Sequence, residues 1–133
     1  MTRARGGFEV EMSRDSDDDL GDGTPLGSMR VSKRFHGDLD GTSRGRMLTG
    51  MTRTEGSAGY VLIERVRGRL EGRTGTFLLQ HSGILDRGAP RQTIEVVPDS
   101  GTGELAGIRG RMTIQISGGD HSYEFEYSFV VRP

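Results

Sequence analysis

The sequence predicts an all-β fold: a single eight-stranded antiparallel up-and-down barrel with Gly-rich turns and no significant helix. Three observations carry that prediction. Apolar and polar residues alternate with a period of two, as in Phe8-Glu9-Val10-Glu11-Met12 and from His121 to Phe129. A Gly-x-Leu-x-Gly frame occurs three times, at Gly37 to Gly41, Gly68 to Gly72 and Gly103 to Gly107, each followed closely by a further glycine (Gly45, Gly75, Gly110). The chain holds 22 glycines, a residue costly in helices and useful at the turns and bends of curved sheets.

The elements follow in order along one domain, 1–133. A flexible N-terminus, 1–6, precedes a first strand at about 7–13, where the alternation is clean. An acidic stretch with glycines and a proline, 14–26, is expected to be a mobile loop. The second and third strands, about 27–39 and 42–52, are separated by the first Gly-x-Leu-x-Gly copy. The fourth, about 58–70, alternates through Tyr60-Val61-Leu62-Ile63-Glu64-Arg65-Val66-Arg67, and the second copy turns it into a fifth at about 73–83. Strands at about 91–98, 104–117 and 121–131 complete the set, the third copy opening the seventh. In this reading each copy marks a strand, a tight turn and a strand.

Eight such strands can stack as a sandwich or close on themselves. Glycines inside long strands (Gly45, Gly50, Gly68, Gly83, Gly110) supply the bends that closure needs, and closure removes both exposed edges. The alternation then assigns faces. Phe8, Val10 and Met12 point inward from the first strand, Met29, Val31, Lys33 and Phe35 from the second, and Tyr60, Leu62, Glu64 and Val66 from the fourth. Met112, Ile114 and Ile116 follow from the seventh, and His121, Tyr123, Phe125, Tyr127 and Phe129 from the last. In the fifth strand both faces carry apolar residues; the face of Phe77, Leu79 and His81 is taken as the inner one.

Composition excludes several function classes. A net charge of −1, from 18 basic and 19 acidic residues, gives no global field for nucleic acid. Arg65, Arg67 and Arg69, two apart, share one solvated strand face. Cysteine is absent, which removes disulfides and thiolate chemistry and suits a reducing cytoplasm. No targeting segment and no apolar run long enough to cross a bilayer is visible, so a cytoplasmic protein without membrane partners is expected.

Sharper motifs fail on inspection. Gly101-Thr102-Gly103-Glu104-Leu105-Ala106 matches a dinucleotide fingerprint, but the alternation after it forbids the helix that would hold a pyrophosphate. Asp15, Asp17 and Asp19 fit the start of a calcium loop, yet Leu20 and Leu26 stand where its glycine and bidentate glutamate belong. His36, His81 and His121 lie on separate strands with no ligand pair at metal spacing, so neither metal nor cofactor is expected.

The blocks Gly56-Ser57-Ala58-Gly59-Tyr60, Ile63-Glu64-Arg65-Val66, Leu70 to Phe77, Leu79-Gln80-His81-Ser82-Gly83, Val97 to Leu105 and His121-Ser122-Tyr123 carry a resemblance. They resemble the signature of a family of small uncharacterised bacterial proteins, itself similar in fold to the allene oxide cyclase-like barrels. The resemblance spans about residues 27–131 and implies an eight-stranded antiparallel barrel. Barrel relatives include cofactor-free cyclases and isomerases acting on oily substrates, but none of their catalytic motifs maps onto this chain residue by residue.

Function is therefore sought in the lumen. Glu64 is a carboxylate on an apolar face, costly there unless it is neutralised or paired. Lys33, the only lysine, is in phase with Val31 and Phe35 and is the natural partner. One expectation is a barrel that encloses an apolar small molecule as a cofactor-free cyclase, isomerase or lyase, with Glu64 as general acid/base and Lys33 and His81 stabilising charge. Tyr60, Gln80, Met112, His121, Tyr123, Phe125 and Tyr127 would then line the ligand site. The alternatives are plainer: Glu64 tied to Gln80, Tyr60 or backbone donors to fix register, Lys33 reaching the barrel mouth, and the aromatic ladder serving as core. They correspond to a non-catalytic binding or structural barrel, with a homo-oligomer expected. An open cavity of roughly 300 Å³ or more would favour binding over a sealed core.

Overall fold

The two-residue alternation becomes eight antiparallel strands in the computed structural model, which describes residues 1–18 and 25–131. They are β1 (Thr2–Asp18), β2 (Leu26–Gly37), β3 (Leu39–Met51), β4 (Ala58–Leu70), β5 (Arg73–Asp86), β6 (Ala89–Val96), β7 (Ile108–Ser117) and β8 (Asp120–Phe129). Each pairs with the next and β8 pairs back onto β1, so the sheet closes into a barrel. Among the described residues the one helical element is a 3₁₀ turn at Gly103–Leu105, and no helix is long and apolar enough to cross a membrane.

Turn chemistry sets three of the hairpins. Glu71-Gly72, Arg87-Gly88 and Gly118-Gly119 each place both residues at positive φ, the two-residue geometry whose twist matches that of the flanking strands. The second Gly-x-Leu-x-Gly copy turns where expected, whereas in the first the chain turns at Gly37-Asp38, ahead of Asp40-Gly41, so that Leu39 already opens β3; Leu39 then faces Leu70 across β3 and β4, and Gly41 faces Gly68. The third departs from a hairpin. Its glycine, glutamate and leucine form the 3₁₀ turn, β7 starts at Ile108 rather than 104, and Leu105 drops into the barrel end beside Gly75. All three repeat leucines are buried, so the repeat builds the sealed end of the barrel.

The N-terminal expectation needs correction. Residues 2–6 belong to β1: Thr2 to Gly6 pair with Tyr127 to Tyr123 of β8, and Ala4 is fully buried. The segment 14–26 is not all loop either. Arg14 to Asp18 extend β1 and Leu26 opens β2, while 19–24, with Asp19 and Leu20, lie outside the described residues. Asp15 pairs with Arg46 at 2.5 Å and with Arg30 at 3.7 Å, so an acid assigned to a loop is held on the barrel wall.

The inner faces match the phase of the sequence, including the face of Phe77, Leu79 and His81 in β5. Outside, Arg65, Arg67 and Arg69 are exposed. Other outer arginines meet acids, with Arg5 at 2.9 Å from Glu124 and Arg34 at 2.6 Å from Asp40, where the guanidinium holds the Asp40 carboxyl below its usual range. The interior is not uniform along its axis. One end is a packed cluster that includes Phe35, Leu70, Phe77, Ile108 and Phe125; toward the other, Val31, Met47 and Leu62 form a smaller group. Buried polar residues lie between them: Lys33 between Val31 and Phe35 on β2, Glu64 between Leu62 and Val66 on β4, and Ser43 on β3.

Candidate functional site

Two cross-strand reaches, each made possible by a glycine, build the polar layer. On the inner face Lys33 stands opposite Ser43, and Gly45, two residues on, stands opposite Glu64. A side chain on Gly45 would strike the Glu64 backbone, its Cβ lying 2.8 Å from the Glu64 Cα. Because Ser43 and Gly45 are small, the Lys33 arm passes over β3 and its Nζ donates to Glu64 Oε2 at 2.9 Å. Ser43 Oγ donates to Glu64 Oε1 at 2.8 Å, so both carboxylate oxygens are engaged. Glu64 is 1% exposed and Lys33 8%, so water screens this pair little. The Lys33 ammonium also sits 5.5 Å from the centre of the Phe8 ring.

The second reach runs over β5. Tyr60 faces Gly83, which faces Gln92 of β6, and the Tyr60 ring lies across the glycine. Its hydroxyl is 2.7 Å from His81 Nε2 and donates to Gln92 Oε1 at 3.1 Å. His81 Nε2 is itself 3.1 Å from Gln92 Oε1. Since that amide oxygen only accepts, the arrangement that serves all three groups has Nε2–H donating to the Tyr60 oxygen and the tyrosine donating to Gln92. His81 Nδ1 is then a bare lone pair, and it is buried without a hydrogen-bond partner. Burial pushes the His81 pKa down, with a smaller downward push from Lys33, so the ring is neutral near pH 7. Burial raises the Tyr60 pKa.

Beyond this layer the barrel is hollow. A cavity of about 730 Å³ is walled by Phe8, Val10, Met29, Met47, Leu62 and Ile114, with Lys33, Tyr60, His81 and Gln92 supplying polar surface. Met12, Leu85 and Ile116 line its open end, which explains why residues in the inward phase remain exposed. β6 and β7 contribute to that opening: their pairing covers Ile94–Met112 and Glu95–Arg111, and it does not extend to Gln92 and Ile114, which both line the cavity.

The structure therefore divides the expected site. Lys33, Tyr60, His81 and His121 line the cavity, His121 with its ring 5.1 Å from that of Phe8. Glu64 lies beneath Lys33 and Ser43 and does not line it. Gln80 faces outward, because it is out of phase with Leu79 and His81. Met112, Tyr123, Phe125 and Tyr127 belong to the packed end. There Phe125 stacks on Phe77 at 5.7 Å. Tyr127 donates to Glu71 Oε1 at 2.5 Å, and burial together with that carboxylate pushes its pKa up to about 12. Ser43 and Gln92 were not singled out from the sequence. Their signal was phase alone: Ser43 with Leu39 and Met47, Gln92 with Ile94 and Val96. Among the described residues no three His, Asp or Glu side chains converge as metal ligands.

No curated protein matches this chain. Among solved structures, the crystal structure of a protein with unknown function from the DUF3224 family of Shewanella oneidensis MR-1 is similar: 47% identical over 99% of each chain, with a TM-score of 0.94. The sequence pattern of that family matches residues 4–127, and the chain belongs to it: the DUF3224 family of proteins of unknown function.

Proposed function

We propose that this barrel encloses an apolar small molecule in its hollow end, with Lys33 and His81 as the polar groups that meet it. One observation carries the reading: an apolar cavity of about 730 Å³ with an ammonium group at its inner wall, a size and lining typical of small-molecule sites. A chamber filled only for stability would spend that volume on side chains, as the opposite end does. Catalysis without a cofactor, as isomerase, cyclase or lyase, extends the same reading. Lys33 offers an electrophile and His81, on the cavity wall, would stabilise charge beside it, while confinement lowers the entropic cost of folding a flexible substrate. Glu64 enters this scheme as a positioning residue, since a ligand would meet Lys33 first. A cytoplasmic setting suits a chain without cysteine.

The test is direct binding. An uncharged naphthylamine fluorophore titrated into the protein should brighten on entering the hollow, and Leu62→Trp, which fills it, should abolish the signal while the barrel still unfolds cooperatively. Native mass spectrometry of protein purified from its own host should show a small molecule travelling with the chain. A fluorophore that stays dim together with a ligand-free mass would sink the binding reading.

A second reading, a homo-oligomeric building block, rests on the outer wall. Leu48 and Val61 are directly paired across β3 and β4 and are 59% and 50% exposed, with Ile63 beside them. Light scattering on wild type and Val61→Lys decides it: loss of a multimer in the variant supports the interface, and a monomeric wild type removes it.

A further inference from the structure

The chemistry of the inner wall restricts what the enclosed molecule carries at its buried end. The Lys33 ammonium has three N–H donors and gives one to Glu64. Its charge is balanced by that carboxylate, whose other oxygen is held by Ser43. The other titratable groups in the layer, His81 and Tyr60, are uncharged near pH 7 because burial disfavours the charged form of each. The layer at the cavity floor therefore carries a strong donor but no net charge. A carboxylate brought there would meet an ammonium already neutralised by Glu64, so the attraction of Lys33 is offset by repulsion from Glu64 a few ångströms behind it and the cost of taking the ligand's own charge out of water is left uncompensated. The arginines of the lining, Arg14 and Arg91, are exposed and stand at the open end rather than at the floor.

An uncharged acceptor has no such conflict. It takes a spare Lys33 hydrogen, leaves the ion pair intact, and brings a chain that the apolar walls accept. We propose that the ligand of this barrel is an uncharged carbonyl compound, a ketone, aldehyde or ester of medium chain length, bound with its carbonyl oxygen on Lys33 Nζ at the cavity floor. The inference rests on the binding reading above and names the ligand class of the same site.

Two probes of equal carbon number separate the alternatives: heptyl methyl ketone and nonanoate, each titrated against the naphthylamine fluorophore. Wild type should bind the ketone about tenfold or more tightly than nonanoate, as a hydrogen bond to a charged donor allows. That preference should vanish in Lys33→Met/Glu64→Gln, which replaces the buried pair by neutral groups of similar shape. A second readout needs no variant. A ketone labelled at its carbonyl carbon should show a downfield NMR shift on binding wild type, because a hydrogen bond from an ammonium polarises the carbonyl. Tighter binding of nonanoate, an unshifted carbonyl, or a ketone preference that survives in the variant would each overturn the proposal. A fluorophore that binds while neither probe displaces it refutes the ligand class alone. A fluorophore that does not bind refutes the enclosure reading with it.

Discussion

Lys33 and Glu64, 31 residues apart, form a hydrogen-bonded ion pair at 2.9 Å inside the barrel, with no strand-pairing contact between β2 and β4 to bring them together. The side chains alone span β3. An ion pair at this depth gives back in Coulomb energy roughly what its desolvation costs, so losing one partner harms more than losing both. Glu64→Gln is expected to destabilise the fold by about 3–5 kcal/mol, since it strands a buried ammonium. Lys33→Met/Glu64→Leu should recover most of that loss. Chemical denaturation of Lys33→Met, Glu64→Leu and the double variant measures the coupling. Additive single losses would mean that the pair does not interact as the distance indicates.

Tyr60 and Gly83 are coupled by space rather than charge. An added Cβ at Gly83 would lie 2.3 Å from Tyr60 Cε1 and 2.7 Å from its hydroxyl oxygen, so the ring must swing off β5 and release His81 and Gln92. Gly83→Ala should cost about 1–3 kcal/mol and weaken binding of the naphthylamine fluorophore as the ring turns into the hollow. In a Tyr60→Leu background the same alanine should be close to neutral in denaturation midpoint. A full cost retained there would place the strain in the backbone instead.

His81 makes stability depend on mild acid. Its pKa is lowered from 6.5 chiefly by burial, which outweighs the upward push of the Gln92 hydrogen bond, while weaker effects of Lys33 (downward) and Glu64 (upward) oppose each other. The unfolded chain therefore takes up the proton at a higher pH than the folded barrel does. Stability rises with pH through the window between the lowered value and 6.5; the contribution is complete above 6.5 and is lost as pH falls through that window. Urea midpoints at about pH 7.5 and about pH 5.5 should separate more for wild type than for His81→Gln. Equal separations would show that the ring titrates alike in both states.

How far such features were legible depends on what the chain's period records. Alternation in β4 gives the face of each residue, which is why Glu64 could be sent inward and Arg65 outward without coordinates. It does not give depth along the barrel axis. Met112, Tyr123, Phe125 and Tyr127 share the inward phase of His121 but sit at the packed end, because the register of eight strands decides which inward residues share a level. Thr2 to Gly6 escaped notice because the strand turns only small residues inward there: Ala4, and Gly6, where a side chain would meet the Tyr123 hydroxyl at 2.6 Å. Gln80 belongs to the face opposite His81, and because both faces of β5 carry apolar residues the phase of that strand alone did not keep it out of the expected site. The hollow itself is set by small residues opposite large ones, as Gly45 stands opposite Glu64 and Gly83 opposite Tyr60, and pairing has to be known before such absences can be seen.

Tyr123 closes the other end of the barrel through its hydroxyl, which accepts the Leu39 N–H at 2.9 Å and donates to the His36 carbonyl at 2.9 Å. That oxygen ties β8 to the turn between β2 and β3, a link across 84 residues of sequence. Its pKa is raised, chiefly by burial, so the hydroxyl keeps its proton and its donor role well above neutral pH. Tyr123→Phe leaves the ring packing against Phe35, 5.8 Å away, but strands a buried amide and a carbonyl. The expected cost is about 1–3 kcal/mol in denaturation, with the Leu39 amide exchanging its hydrogen faster than in wild type while the Lys33 end of the barrel keeps its protection. Unchanged exchange at Leu39 would show that water or a neighbouring group replaces the hydroxyl, and would remove Tyr123 from the set of groups that hold the sealed end shut.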